Sequence, residues 1–383
     1  MKEQYAMPST FSSVSIVGLG LIGGSLAKSI KQFFPETRII GVNRSDAALH
    51  SAVSEGIIDI AVNAGSADYA CMADAELIIL CTPVDTALTW MTALARHLKE
   101  GTVITDACST KSALLERARV LKQERPDFCF IGGHPMAGSE KKGYAASSAH
   151  LLENAVYLLC PLLDDVRHIS ALERLSAFIR ALGALPLTVA APDHDFYMAA
   201  ISHLPHVAAS ALVNTAHAND NEQGILRALA AGGFKDITRI ASSPPALWRS
   251  ISMSNRRCLM RLLREYMDSL ETFYDALERE DSPTIEDFFL RAQQYRDSFS
   301  TVDKSMYALL YELSVDVEDK PGVVAEITRL LESEKINIKN LYIAESREME
   351  SGCLRLAFSG RASRDRAAAV LEAAGHTVFC DYD

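Results

Sequence analysis

Val14-Ser15-Ile16-Val17-Gly18-Leu19-Gly20-Leu21-Ile22-Gly23-Gly24, running on into the helical stretch Ser25 to Phe33, decides the fold of this chain. The short β-branched run reads as a strand buried on both faces. Each glycine after it answers a separate demand. Gly18 permits the tight turn, Gly20 lets the backbone approach a pyrophosphate, and Gly23 allows close helix–strand packing. The helix start then offers unpaired N–H groups and the positive end of its dipole to an anion. A glycine fingerprint alone is weak evidence. Here it follows a strand, opens a helix and begins an alternating β/α stretch, the context that marks a dinucleotide site. The expected cofactor contacts on the turn are Gly18, Leu19, Gly20, Leu21, Ile22 and Gly23.

Outward from that turn, the runs VSIVG, RIIGV, LIILC, TVITD and VYLLC alternate with amphipathic segments as far as Leu187. The alternation predicts an α/β, Rossmann-like, doubly wound parallel sheet. Ser45 caps a helix carrying Ala48, Leu49, Ala52 and Val53 that stops at Gly56, and Thr86 to Leu98 and Thr110 to Leu121 are also helical. The second strand ends near Val42, where NAD enzymes usually place an acidic residue for the ribose 2′-hydroxyl. This chain has Asn43-Arg44-Ser45 instead. An Arg beside small polar groups suits the 2′-phosphate of NADP. Equally, Asn43 can bond the hydroxyl of NAD while Arg44 faces solvent, and the two readings stay open.

From Pro192 to Phe299 the strand signal disappears, giving an all-helical middle domain: Ile201 to Ala218, Gln223 to Leu229, and a long segment from Ala246 to Glu280. Ile251, Leu259, Leu262, Leu263, Tyr266, Leu270 and Phe273 recur near helical spacing on that last segment, and a homodimer interface would cover them. Phe299 to Met306 reads as a linker. From Leu309 the pattern is strand, helix, strand, strand, helix, strand, the ferredoxin-like βαββαβ unit. Its first helix buries Val324, Ile327, Leu330 and Leu331 on one face. The expected domains are therefore 1–189, 190–302 and 303–383.

Composition agrees with several ordinary globular domains. The 383 residues are 49% hydrophobic and 23% charged, and about 100–200 residues make a domain. Asp and Glu number 49 against 38 Lys and Arg, a formal net charge of -11. A protein that neutralises phosphate backbones is normally basic, so nucleic acid is not an expected partner. No apolar run resembles a signal peptide or approaches the roughly 20 residues that cross a bilayer, so no membrane partner is expected and cytoplasmic is the expected location. The eight cysteines are scattered with no CxxC, which reads as reduced core thiols.

Four polar stretches interrupt this framework. DACSTK (Asp106–Lys111) follows the strand TVITD at the sheet edge where ligands bind. Its Ser109, Thr110 and Lys111 serve equally well as helix caps. GGHPMAGSE (Gly132–Glu140) follows the strand FCFIGG. A His held between paired glycines and a proline at a strand end suits proton transfer near neutral pH better than core packing. SHLPH (Ser202–His206) sets two histidines one helical turn apart, and with no third or fourth ligand in sight no metal is expected. GGFKDITRIA (Gly232–Ala241) is a glycine break running into a polar helix start, whose Arg239 either clamps a carboxylate or is a plain surface residue.

In this order, the glycine turn, DACSTK, GGHPMAGSE, SHLPH and GGFKDITRIASSPPALW resemble the prephenate dehydrogenases of tyrosine biosynthesis. The C-terminal stretch ELSVDVEDKPGVVAEI resembles the ACT domain fused to some members. The resemblance runs from about Ser13 to Cys380. It implies oxidative decarboxylation of prephenate to 4-hydroxyphenylpyruvate, with reduction of NAD or NADP. His134 matches the family's catalytic histidine, and Ser109 the serine that orients it and the substrate. Arg239 matches the carboxylate-binding arginine, Asp236 and Trp248 nearby family positions, His206 a second pocket histidine, and Glu140 a gating acid. The ACT likeness implies L-tyrosine as an effector near the first loop, at Asp319, Gly322 and Val323.

Arogenate, the amino analogue of prephenate, is the alternative substrate. A dehydrogenase of the β-hydroxyacid type would require a catalytic Lys in the helical domain. A non-catalytic nucleotide-dependent sensor would have no use for His134, Ser109 and Arg239 together.

Overall fold

A computed structural model describes residues 11–66, 68–138, 141–162, 166–300, 311–318, 320–344, 351–358 and 360–380. The chain divides into two units, Met1–Ile285 and Glu286–Asp383. The expected boundary between residues 302 and 303, and the expected strand start at Leu309, lie outside the described residues.

In the first unit the strands are β1 (Ser13–Val17), β2 (Arg38–Asn43), β3 (Ile60–Asn63), β4 (Leu77–Leu80), β5 (Val103–Asp106), β6 (Cys129–Pro135), β7 (Val156–Pro161) and β8 (Leu185–Thr188). They form one sheet in the order β3-β2-β1-β4-β5-β6-β7-β8. Side chains sort by parity, as the two-residue period of a strand requires. Val14, Ile16, Ile39, Leu77 and Ile79 pack on one face, against α1 (Leu21–Phe33), α2 (Asp46–Ser54) and α6 (Val166–Ala181). Val17, Ile40, Val42, Ile78 and Leu80 pack on the other, against α3 (Tyr69–Ala73), α4 (Val84–Leu94) and α5 (Ser112–Glu124). With both faces covered, the strands carry no polar alternation, which is why they read as continuous apolar runs.

The sheet departs from the wholly parallel expectation at one ladder: β6 and β7 pair antiparallel, while β7 and β8 pair parallel. Among the described residues between β6 and β7 there is no α-helical crossover, only the short 3-10 turn Tyr144–Ala146, and the strand returns in the opposite direction. Between β7 and β8 stands α6, and parallel pairing is restored. Ser45 caps α2 as expected, its side chain accepting from the Ala48 N–H at 3.4 Å.

The middle helices are α7 (Ala191–Met198), α8 (Leu204–Ala218), α9 (Ile225–Leu229), α10 (Gly232–Thr238), α11 (Pro245–Ser254), α12 (Arg256–Glu278) and α13 (Ser282–Asp297). The division between the two units falls inside α13. Two expectations need correction. The helix expected from Ile201 begins at Ala191, and a π-helical turn, Ala199–His203, joins α7 to α8. Pro205 has no N–H to close the usual bond back to Ile201, so the helix is wound more loosely where the histidines lie. The single helix expected over Ala246–Glu280 is two, parted at Asn255. No Gly or Pro marks that break, because Asn255 is held by tertiary partners described below. By length and composition alone the run Ala191–Ala218 is apolar enough to cross a membrane. Its buried His194, Asp195 and His203 are instead engaged by side chains and backbone of this unit.

The second unit holds β9 (Tyr311–Glu318), α14 (Val323–Ser333), β10 (Asn340–Ala344), β11 (Ser351–Phe358), α15 (Arg361–Ala373) and β12 (Val378–Cys380). The sheet order β10-β11-β9-β12, antiparallel throughout, is the ferredoxin-like arrangement expected. Leu313, Val315, Ile327, Leu331, Leu354, Leu356 and Leu371 fill its core, with Val324 and Leu330 half-buried against them.

Candidate active site

Where β1 and β4 end side by side, the strand order reverses direction, and a cleft opens of the kind such sheets use for nucleotides. Its volume is about 490 Å³, and Gly18, Gly20, Asn43, Arg44, Thr82 and Trp90 are among its lining. Gly18 has φ +98°, and a Cβ there would lie 2.5 Å from the Cys81 carbonyl oxygen. A Cβ on Gly23 would lie 2.0 Å from the Gly18 carbonyl oxygen, whereas one on Gly20 would meet nothing within 4 Å. The first two glycines therefore close the turn, and the third leaves backbone bare towards the cleft. No side chain caps α1 at Gly20. Its first N–H groups are available to an anion, so this cradle fits a pyrophosphate. Leu19 is buried in the core with Ile22 packed against it, so among the expected turn contacts the cleft lining takes Gly18 and Gly20. Asn43 is half-buried and Arg44 exposed at the end of β2.

Beside the cleft, β5 and β6 are locked together by a fully buried ion pair between Asp106 and Lys111. Lys111 Nζ also donates to the Gly133 carbonyl at 2.8 Å, and Asp106 Oδ1 accepts the Gly133 N–H at 2.9 Å. A Cβ on Gly133 would fall 2.3 Å from the Asp106 carbonyl oxygen, so only glycine lets the strands approach this closely. The start of α5 is capped from another element. Asp195 on α7 accepts from Lys111 N at 2.7 Å and Ser112 N at 2.9 Å. Neither Ser109 nor Thr110 caps it, and Thr110 Oγ1 bonds Ser254 Oγ of α11 at 2.9 Å.

This lock carries His134, half-buried at the end of β6, on the same sheet edge as the glycine turn. His134 Nδ1 lies 2.9 Å from His194 Nε2, and His194 Nδ1 lies 2.9 Å from Asp195 Oδ1. Ser109, expected to orient His134, makes no hydrogen bond to it; the partner of His134 Nδ1 is His194. Burial, with the charges of His194, Lys111 and His203 adding, holds the His134 imidazole well below its ordinary range. Burial lowers His194 as well, against the raising effect of its bond to Asp195. Burial also lowers His203, to about 4. For Asp195 burial acts upward, but the bonds from His194, Ser112 and Lys111 prevail and keep it below the ordinary carboxylate value.

Asn255, at the break between α11 and α12, donates to the Asp195 carbonyl at 2.6 Å and lies 3.2 Å from His203 Nδ1. His206 stacks on Trp248 with ring centroids 3.7 Å apart, joining two expected site residues. Ser250 on α11 donates to Asp85 of α4 at 3.1 Å and so ties the middle helices to the cleft wall. Asp236 and Arg239 are exposed on α10 and the 3-10 turn Arg239–Ser242, both of which pack against α8, the helix carrying His206. Glu140 lies outside the described residues.

His194, Asp195 and Asn255 are absent from the sequence-derived site. The acidic–His–acidic triplet Asp193-His194-Asp195, directly after Pro192 at the first helical turn, was a readable signal for two of them. Asn255 offered none.

In the second unit, Gly322 (φ +97°) opens α14 and lines a groove of about 340 Å³ with Glu326, Arg329, Leu330 and Ser333. Val323 packs against the core beside it, and Asp319 lies outside the described residues.

Comparison with known proteins adds a family. Residues 26–185 match the family model "Prephenate dehydrogenase, nucleotide-binding domain", residues 190–291 "Prephenate dehydrogenase, dimerization domain", and residues 311–357 the ACT domain. The chain is 37% identical to the prephenate dehydrogenase of Bacillus subtilis (strain 168), across 94% of this chain and 96% of that one. Among solved structures, prephenate dehydrogenase from A. aeolicus in complex with hydroxyphenyl propionate and NAD+ is similar with a TM-score of 0.67 and 29% identity, over 75% of this chain and 98% of that one. Synechocystis arogenate dehydrogenase is similar with a TM-score of 0.63 and 30% identity, over 75% of this chain and 99% of that one.

Proposed function

The chain belongs to the prephenate dehydrogenase family, and on that premise we propose how its own residues perform the reaction. It is an NAD-dependent oxidoreductase that converts prephenate to 4-hydroxyphenylpyruvate and CO2. The observation that carries the assignment of roles is His134 at the end of β6, on the sheet edge that holds the glycine turn.

Gly18, Gly20 and the uncapped start of α1 hold the pyrophosphate of NAD. NAD held there would supply the hydride acceptor for the ring carbon that bears the hydroxyl. His134 takes the hydroxyl proton as that hydride departs, then returns it to the phenolate oxygen once the ring carboxylate has left as CO2. Aromatisation supplies the driving force, so the protein's task is to position the ring and hold one proton. Arg239 binds a substrate carboxylate with Asp236 beside it, and the stacked His206 and Trp248 form a wall of the ring pocket. Ser109 contacts the substrate.

Initial rates by nicotinamide absorbance, with prephenate and arogenate each paired with NAD and NADP, test the whole reading. Turnover is expected with prephenate and NAD. Activity confined to arogenate would keep the site and replace the substrate, the reading that similarity to the Synechocystis enzyme would then favour.

Cofactor choice rests on Asn43 and Arg44, which line the cleft at the end of β2. Asn43 bonds the ribose hydroxyl of NAD, and Arg44 gives NADP a residual foothold. In Asn43→Asp a carboxylate meets the 2′-phosphate, and the preference for NAD in kcat/KM is expected to rise by about tenfold or more. An unchanged ratio would show that this strand end does not read the ribose.

The ACT unit senses L-tyrosine in the groove beside Gly322. Glu326 and Arg329 in its lining offer opposite charges to a zwitterion. Millimolar tyrosine is expected to lower turnover severalfold. Unchanged kinetics together with no heat of binding would remove this role.

The protein forms a homodimer through its middle helices. Of the residues expected there, Ile251, Leu259 and Leu262 are buried within this chain, whereas Tyr266 and Leu270 join Met260, Met267, Tyr274 and Leu277 on an exposed apolar face of α12 that a second copy buries.

A further inference from the structure

His134, His194 and Asp195 form a chain of hydrogen bonds whose polarity runs one way. Asp195 is a carboxylate with three donors: Lys111 N at 2.7 Å and His194 Nδ1 at 2.9 Å on Oδ1, and Ser112 N at 2.9 Å on Oδ2. An ionised carboxylate only accepts, so the hydrogen of His194 is on Nδ1. A neutral imidazole has one N–H, which makes His194 Nε2 a lone pair. The 2.9 Å contact to His134 Nδ1 then requires the hydrogen to lie on His134. His134 Nε2 is left bare, as the basic nitrogen.

We infer that His194 and Asp195 are positioning residues for the dehydrogenation, holding His134 in the one tautomer whose Nε2 can receive the substrate hydroxyl proton. The inference rests on the activity stated above and deepens it. The proton passes from the hydroxyl oxygen to His134 Nε2. The resulting imidazolium keeps its Nδ1–H on His194, and through that ring faces the Asp195 carboxylate. Other ionisable groups around the pair are the Lys111 ammonium, which opposes the imidazolium, Asp106, which neutralises Lys111, and His203. His194 is fully buried and Asp195 nearly so, which keeps water from replacing either partner. Asp195 has a second task as the cap of α5, where it ties α7 to the segment that carries Lys111. The relay and the Asp106–Lys111 lock thus share one anchor.

His194 is the cleaner residue to change, because Asp195 also holds a helix. His194→Leu removes the acceptor and keeps bulk, and His194→Gln returns an acceptor near the place of Nε2. Wild type and both variants are assayed with prephenate and NAD across pH, and NAD binding is measured separately by fluorescence. His194→Leu is expected to lower kcat by about tenfold to a hundredfold, the scale of losing a supporting partner behind an active-site imidazole. Its KM for prephenate and its NAD binding should stay within about threefold of wild type, with the acid limb of the pH profile displaced. His194→Gln should recover most of the loss. A purely structural histidine would alter stability and leave the acid limb in place. A kcat within twofold of wild type in His194→Leu, or no recovery in His194→Gln, overturns the relay while leaving the activity intact. A wild type silent on prephenate overturns the activity and the relay with it. One readout needs no variant: the 15N shifts of His134 in wild type must report a protonated Nδ1 and a bare Nε2, and the reverse tautomer refutes the inference.

Discussion

His134→Asn is expected to lower prephenate turnover by about a hundredfold to ten-thousandfold, the range that a positioned general base supplies. The size follows from the surroundings of the residue. Its Nδ1 is committed to His194, and the described residues place no second basic side chain in its position on β6. Asn can still fill the space and bond to substrate, but it cannot hold a proton, so kcat should fall much more than KM rises. The wild-type pH dependence belongs to the same prediction. Because the pKa of His134 is lowered from 6.5, the imidazole is already the free base at pH 6.5. Activity should persist below that value and fall only as pH drops through the lowered pKa, and the limb should vanish in His134→Asn. Steady-state rates across pH check both statements. A variant within a few-fold of wild type, or an acid limb above pH 6.5, would end the general-base role.

Lys111→Met is expected to produce the largest loss of stability from a single substitution, about 3–5 kcal/mol, the cost of stranding one member of a buried ion pair. Asp106 and Lys111 are both fully buried, and Lys111 Nζ also holds the Gly133 carbonyl. With the ammonium gone, the Asp106 carboxylate keeps the N–H groups of Cys108 and Gly133 but loses its counter-ion. Adding Asp106→Leu to Lys111→Met should recover part of the loss, since removing both charges costs less than removing one. Both tryptophans of the chain, Trp90 and Trp248, lie in the unit Met1–Ile285, so their fluorescence in denaturant follows this unit. A loss below about 1 kcal/mol, typical of an exposed pair, would show that the buried pair contributes little.

Local pattern made much of this protein legible. Parity along β1, β2 and β4 shows as continuous apolar runs because helices cover both faces of the sheet, and the glycines at 18, 20 and 23 declare a turn that other residues would obstruct. His134 stands out as a proton-transferring residue type set between a glycine pair and a proline at a strand end, although Gly133 itself serves the close approach of β5 and β6. The small βαββαβ unit was readable for the same reason as the large sheet, since its helices bury one apolar face at a regular spacing.

The remainder depended on residues far apart in the chain. Ser109 has the chemistry to orient His134, yet the hydrogen bond that His134 Nδ1 makes is to His194, 60 positions away. The cap of α5 comes from Asp195 rather than from the polar residues at its own start, because a carboxylate delivered by α7 satisfies two N–H groups at once. Asn255 breaks a helix whose local propensity favours continuity, since its amide serves the Asp195 carbonyl and His203. The direction of β7 was equally hidden, because a run buried on both faces reads the same in either orientation. The sequence by itself thus determined most of the elements and the cofactor turn, each a consequence of short-range sterics and hydrophobic period, and singled out His134 as the candidate proton acceptor. Only the tertiary structure decided which partners hold that acceptor, because a hydrogen bond is chosen by distance in space and burial, and neither is written in the neighbouring residues.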